Sequence, residues 1–100
     1  MVNIVCVCHN GMGTSMLAKI NITNICQENN IDASVDACAH GEVMSFLPMT
    51  DIVITTPEIV EFIPQMGDFH ILTTKNVLDK EETEKLLVEC VKEYYPNDIG

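Results

Sequence analysis

One hundred residues, 47% of them hydrophobic, suffice for one small domain with a single core and are too few for two, and that fraction excludes a disordered tail. Fifteen acidic residues against five lysines, with no arginine, leave a formal charge of -10; nucleic acid and anionic membranes are poor partners for such a surface, because phosphate contacts need Lys and Arg. No apolar run approaches the ~20 residues needed to cross a bilayer, and Met1 leads straight into strand-like sequence without a basic n-region, so a cytoplasmic protein with no membrane insertion is expected.

Val2 to Val7 (Val-Asn-Ile-Val-Cys-Val) predicts a first strand buried on both faces. Cys8 stands at its end, followed by His9, Asn10, Gly11, Met12, Gly13, Thr14 and Ser15. A first helix is predicted from Thr14 to Asn29, with Thr14 or Ser15 near its cap. Met16, Ala18, Ile20 and Ile22 alternate with Leu17, Lys19 and Asn21 in a way that also suits a strand. The helix is preferred because a Gly-rich loop after a buried strand normally feeds one, and because the segment is long.

Ile31 to Cys38 alternates with period two and predicts a second strand. A short helix follows over Gly41 to Leu47, stopped by Pro48. Asp51 to Thr56 is the third strand, ended by Pro57. Residues 57–67 are expected to hold one helical turn and then a loop; the apolar part, Pro57 to Met66, reads equally as a docking loop near Cys8 or as a cover for the core. Phe69 to Thr73 gives a fourth strand. In the last helix Asp79 caps with Glu82 at capping-box spacing, Leu86, Leu87, Cys90, Val91 and Tyr94 share one face, and Pro96 closes it.

Strands alternating with helices imply an α/β fold: a parallel sheet with right-handed crossovers and helices on both faces, a three-layer sandwich. Ligands in such folds sit beyond the carboxyl ends of the strands, which is where Cys8 falls.

Five cysteines, an odd number without framework spacing, predict free thiols in a reducing compartment. Cys6, Cys26 and Cys90 read as small buried hydrophobes. Cys8 would face the backbone N–H groups of residues 9 to 15 and the positive end of the first helix, both of which favour the thiolate and lower its pKa below ~8.5. Gly11 and Gly13 let amides turn inward and phosphoryl oxygens approach, and the Thr14 and Ser15 hydroxyls add donors. The plainer reading is a buried strand-end thiol followed by an ordinary turn.

Other motifs fit these residues less well. A nucleotide loop needs Gly-Lys-Ser/Thr, and Gly13 is followed by Thr14; a dinucleotide fingerprint needs a third glycine where Met16 stands. A cysteine-phosphatase loop, Cys-x5-Arg, meets Thr14 instead of arginine. Cys6, Cys8, His9, Cys38 and His40 cluster in sequence, but Cys-x-Cys is not the usual zinc spacing, and no metal or cofactor is expected. His9 either assists Cys8 or lies on the rim, His40 is a rim or surface residue, and His70 is structural. The loop therefore suits carrying a phosphoryl group, with a non-catalytic anion-binding module or a low-molecular-weight cysteine-phosphatase-like enzyme as the alternatives.

The chain resembles the IIB components of bacterial sugar phosphotransferase systems (PTS), specifically the ascorbate-type group, with the galactitol type matching the later segments less well. The likeness runs through Cys8-His-Asn-Gly-Met-Gly-Thr-Ser15, Cys38-Ala-His-Gly-Glu42, Asp51-Ile-Val-Ile-Thr55, Lys75-Asn-Val-Leu78 and Lys92-Glu-Tyr-Tyr-Pro-Asn-Asp98. His9 stands where glycine is expected and Met12 where glutamine is. The resemblance implies one IIB domain over residues 1–100, built on a four-stranded parallel sheet of order 2-1-3-4. It also implies that Cys8 carries the phosphoryl group while His9, Asn10, Gly11, Met12, Gly13, Thr14 and Ser15 bind it. The partners it implies are a phosphorylated IIA protein as donor and a membrane IIC transporter holding the sugar, ascorbate or a galactitol-like one.

Overall fold

The computed structural model describes residues 1–8, 12–61, 63, 69–75 and 79–99; for residues 8, 12–15 and 40 it describes the backbone. Strands β1 (Val2–Cys8), β2 (Ala33–Ala39), β3 (Ile52–Thr55) and β4 (His70–Thr73) form a parallel sheet in the order β2-β1-β3-β4, as expected. Helices α1 (Met12–Glu28) and α4 (Lys80–Tyr94) cover one face, and the short α2 (Val43–Phe46) and α3 (Pro57–Val60) lie on the other.

Strand alternation explains the two layers. Val2, Ile4 and Cys6 pack with Ala18, Ile22, Leu87 and Val91 on the α1/α4 side; Val5 and Val7 pack with Val43, Val53, Ile59 and Ile63 on the other. β1 is apolar on both sides because both of its faces are covered. Each such fully buried Val or Ile contributes about 1.5–3 kcal/mol of transfer free energy.

In α1 the buried residues are Ala18, Ile22, Ile25 and Cys26, at helical spacing, which resolves the ambiguous alternation: Met16, Leu17 and Ile20 are exposed. The helix starts at Met12, earlier than expected, so Thr14 and Ser15 belong to its first turn and do not cap it. Asn29-Asn30 ends the helix as expected. Asn30 adopts φ 56°, Ile31 N–H reaches back to the Cys26 carbonyl at 2.8 Å and Asn30 N–H to Gln27 at 3.3 Å, a Schellman closure with asparagine in the left-handed position. Ile31 is thereby taken up by the cap and by an isolated bridge to Ile99, so β2 begins at Ala33 and not at Ile31.

Pro48 does not stop the segment after β2. A 3-10 turn (His40–Glu42), α2 and a second 3-10 turn (Leu47–Met49) follow one another, with Pro48 in the opening positions of the last, where its missing N–H is not needed. Pro57 opens α3, whose Ile59 is buried along with Ile63, so these residues cover the core; residues 62 and 64–68 lie outside the described ones.

Helix α4 buries Thr83, Leu87, Cys90 and Val91, while Leu86 is half-buried. Tyr94, expected on that face, is 51% exposed. It lies against the edge strand β4, its ring stacked on His70 at 3.9 Å, while Tyr95 meets His70 edge-on at 6.0 Å. Asp79 caps as expected, accepting from the Glu82 N–H at 3.4 Å. The Glu82 carboxylate accepts from the Thr74 hydroxyl and, at 2.6 Å, from the Lys75 N–H, tying the β4–α4 connection to the helix.

Those two bonds hold the Glu82 carboxyl below its ordinary pKa, the Thr74 hydroxyl contributing most. Its stabilisation is therefore complete above the ordinary carboxylate range and is lost as pH falls through the depressed folded value. Thermal unfolding followed from neutral to acid pH should show Glu82→Gln less stable than the parent at neutral pH, with the difference closing in acid.

Candidate functional site

Cys8 is the last residue of β1 and stands opposite Ala39, the last residue of β2. On the other edge β1 pairs with β3 through Ile4, Val5 and Cys6. Beyond that ladder the fully buried Thr55 hydroxyl donates to the Val7 carbonyl at 3.1 Å. The end of the strand that carries Cys8 is thus fixed from both sides. Sequence reasoning passed over Thr55; its one signal is a hydroxyl closing an otherwise apolar strand, where burial demands a partner.

Helix α1 begins at Met12, close behind Cys8 in the chain. Its first N–H groups lack intrahelical acceptors, its first turn holds no acidic side chain, and no acid appears before Glu28 in its last turn. No acid of the helix itself therefore offsets its positive end at the carboxyl edge of the sheet, a setting that favours a bound anion or a thiolate. At the far end Glu28 opposes the helix dipole and Lys80 opposes that of α4; the two charges meet at 2.6 Å and neutralise each other.

Among the expected site residues, Cys8 at the end of β1 and Met12, Gly13, Thr14 and Ser15 in the first turn of α1 share the carboxyl edge of the sheet, described by their backbone. His9, Asn10 and Gly11 lie outside the described residues. His40 opens the 3-10 turn directly after Ala39, the cross-strand partner of Cys8, whereas His70 opens β4 at the opposite edge.

The other four cysteines are buried. Burial pushes the Cys26 thiol up to about 11 and raises that of Cys90, to which the Glu93 carboxylate adds. Cys6 belongs to the α1/α4 core and Cys38 to the opposite one, so the sheet separates them. Among the described residues no three His, Cys, Asp or Glu side chains come together as metal ligands.

Two outcomes follow from this geometry. Iodoacetamide at neutral pH should label Cys8 alone in the native protein and all five cysteines after unfolding, as read by peptide mass spectrometry. Thr55→Val should destabilise by about 1–2 kcal/mol, since the Val7 carbonyl loses a buried donor, lowering the thermal midpoint by roughly 4–16 °C for a domain of this size.

Residues 3–89 match the protein-family model described as "PTS system, Lactose/Cellobiose specific IIB subunit". The ascorbate-specific PTS system EIIB component of Escherichia coli O157:H7 is 35% identical over 98 residues, covering 98% of this chain and 97% of that protein. The protein of the same name from Shigella flexneri is 34% identical over the same length and coverage. Among solved structures, the lactose-specific IIB component domain from Streptococcus pneumoniae superposes with a TM-score of 0.62 at 16% identity, covering 94% of this chain and 97% of that one. The solution structure of the cellobiose-specific phosphotransferase IIB component from Borrelia burgdorferi gives 0.59 at 24% identity, covering 99% and 95%. The two structural likenesses show a shared fold.

Proposed function

Since the chain belongs to the lactose/cellobiose-type IIB family of sugar phosphotransferase systems, we propose that Cys8 is its phosphoryl carrier, loaded by a phosphorylated IIA protein and discharged to a sugar on a membrane IIC transporter. The whole chain, residues 1–100, acts in this reading as one IIB domain on the cytoplasmic side. No helix among the described residues is long and apolar enough to cross a membrane. The relatives' name, ascorbate-specific, supports ascorbate as the sugar.

One observation carries the reading. Four of the five cysteines are sealed into the two cores, and the fifth ends the central strand at the edge where α1 begins without an acid in its first turn. In the first step the Cys8 thiolate attacks phosphorus in line, forming S–P as the N–P bond to the donor histidine breaks and its imidazole nitrogen takes a proton. In this reading His9, Asn10, Gly11, Met12, Gly13, Thr14 and Ser15 bind the group, backbone N–H donors and the end of α1 spreading its charge. In the second step a sugar hydroxyl oxygen attacks phosphorus, S–P breaks, the thiolate returns and the hydroxyl proton passes to a base on the transporter. The chain holds no arginine to stabilise a group in flight to water, which supports carrying over hydrolysis.

Incubated with its phosphorylated IIA partner, the protein should gain one phosphoryl group at Cys8 and lose it on addition of transporter-bearing membranes and ascorbate. Cys8→Ser should do neither. A Cys8→Ser protein that still accepts and passes the group would sink the reading, and phosphate affinity untouched by alkylating Cys8, with no covalent adduct, would favour a passive anion-binding module.

A further inference from the structure

Between Lys19 and Lys75 the sequence contains no lysine or arginine. In the fold this segregates charge. Lys19 lies on α1, Lys80, Lys85 and Lys92 on α4, and Lys75 on the connection leading into α4, so the opposite layer, residues 40–61, has no lysine or arginine. That layer exposes Glu42, Glu58 and Glu61, together with Met44 (58%) and Met49 (71%). Among the described residues none of these three carboxylates has a basic partner, whereas Asp36 and Glu28 are paired with Lys19 and Lys80. Glu42 ends the 3-10 turn after β2, and Glu58 lies in the first turn of α3 after β3. These are the two strands that flank β1, so both acids stand at the same sheet edge as Cys8.

We propose that this layer docks on a basic, amphipathic cytoplasmic segment of the membrane transporter; the inference rests on the phosphoryl-relay reading. Short cytoplasmic loops of membrane proteins carry an excess of Lys and Arg, and a face with acids and no lysine or arginine is complementary to them. The anionic lipid surface around those loops repels the same face, so the attraction is selective for the transporter. Met44 and Met49 add adaptable apolar area that can follow a partner's shape. The α4 surface, where Lys80, Lys85 and Lys92 are interspersed among five glutamates, has no such one-sided charge. Complementarity of this kind acts on encounter and salt dependence more than on final affinity.

The test measures sugar phosphorylation by transporter-bearing vesicles against the concentration of phosphorylated protein, at several salt concentrations. The triple variant Glu42→Lys, Glu58→Lys, Glu61→Lys should raise KM for the phosphorylated protein about tenfold or more and flatten its salt dependence. Loading of Cys8 from the phosphorylated IIA protein should stay within about twofold of the parent, which also reports that the variant is folded. The same charge change on α4, Glu81→Lys, Glu89→Lys, Glu93→Lys, should leave KM within about twofold. Three results overturn the proposal: an unchanged KM in the first triple, an equal rise in the α4 triple, or a parallel loss of loading, which would give the face to the donor instead. Binding of the parent to anionic vesicles without transporter overturns it too, because the partner would then be lipid. A parent that never loads at Cys8 defeats the relay reading itself, a separate result.

Discussion

Strand β1 has a hydrogen-bonded neighbour on each edge and an apolar layer on each face, and the remaining elements take their places from that enclosure. Its side chains alternate between two cores that do not communicate through the sheet. A strand so confined can neither slip in register nor rotate without burying the wrong set of residues. What ends the confinement is the carboxyl edge, where Cys8 is the last paired residue and Thr55 holds the preceding carbonyl. Cys8 thus ends a strand held on both edges, a rigid position of the kind that the proposed relay between two partners calls for.

The same enclosure sorts the cysteines. A thiol inside an apolar layer is held protonated by desolvation, as the raised Cys26 and Cys90 show. Cys8 instead ends its strand at the edge where helix α1 begins without an acid in its first turn. Location in the sheet therefore separates the four buried cysteines from the one that the relay reading uses. With a net charge of -10 the overall field works against any bound phosphoryl group, so local backbone dipoles have to supply the attraction.

Charge on the outer layers follows a different logic. Glu28 and Lys80, each unfavourable at its own helix end, neutralise each other across the α1–α4 contact. Glu42, Glu58 and Glu61 have no such basic partner among the described residues, and the layer that bears them lacks the lysines that dilute acidity elsewhere. Folding costs nothing by leaving exposed carboxylates unpaired in water, so this asymmetry is available for association.

Much of the protein is legible in the sequence because its signals are local. Apolar runs, period-two alternation, the glycines after Cys8 and the Asp79 cap depend on neighbours a few residues away, and they determine four strands, two long helices, the parallel arrangement and Cys8 at a strand end. For what depends on adjacency across the fold, no local signal names the partner. Thr55 meeting Val7, Glu82 turning to Thr74 and Lys75, and Tyr94 leaving the core for His70 each join residues brought together by the sheet order or the helix docking. Cys6 and Cys38, close to other candidate ligands in the chain, are parted because the sheet lies between their cores. The stretch from Cys8 to Ser15 offers a thiol, two glycines and two hydroxyls by residue type alone, and the apolar run before it predicts a strand buried on both faces; which layers cover those faces, and that β2 and β3 pair with its edges, only the tertiary structure decided, since enclosure is a property of what packs around a strand and not of its own residues.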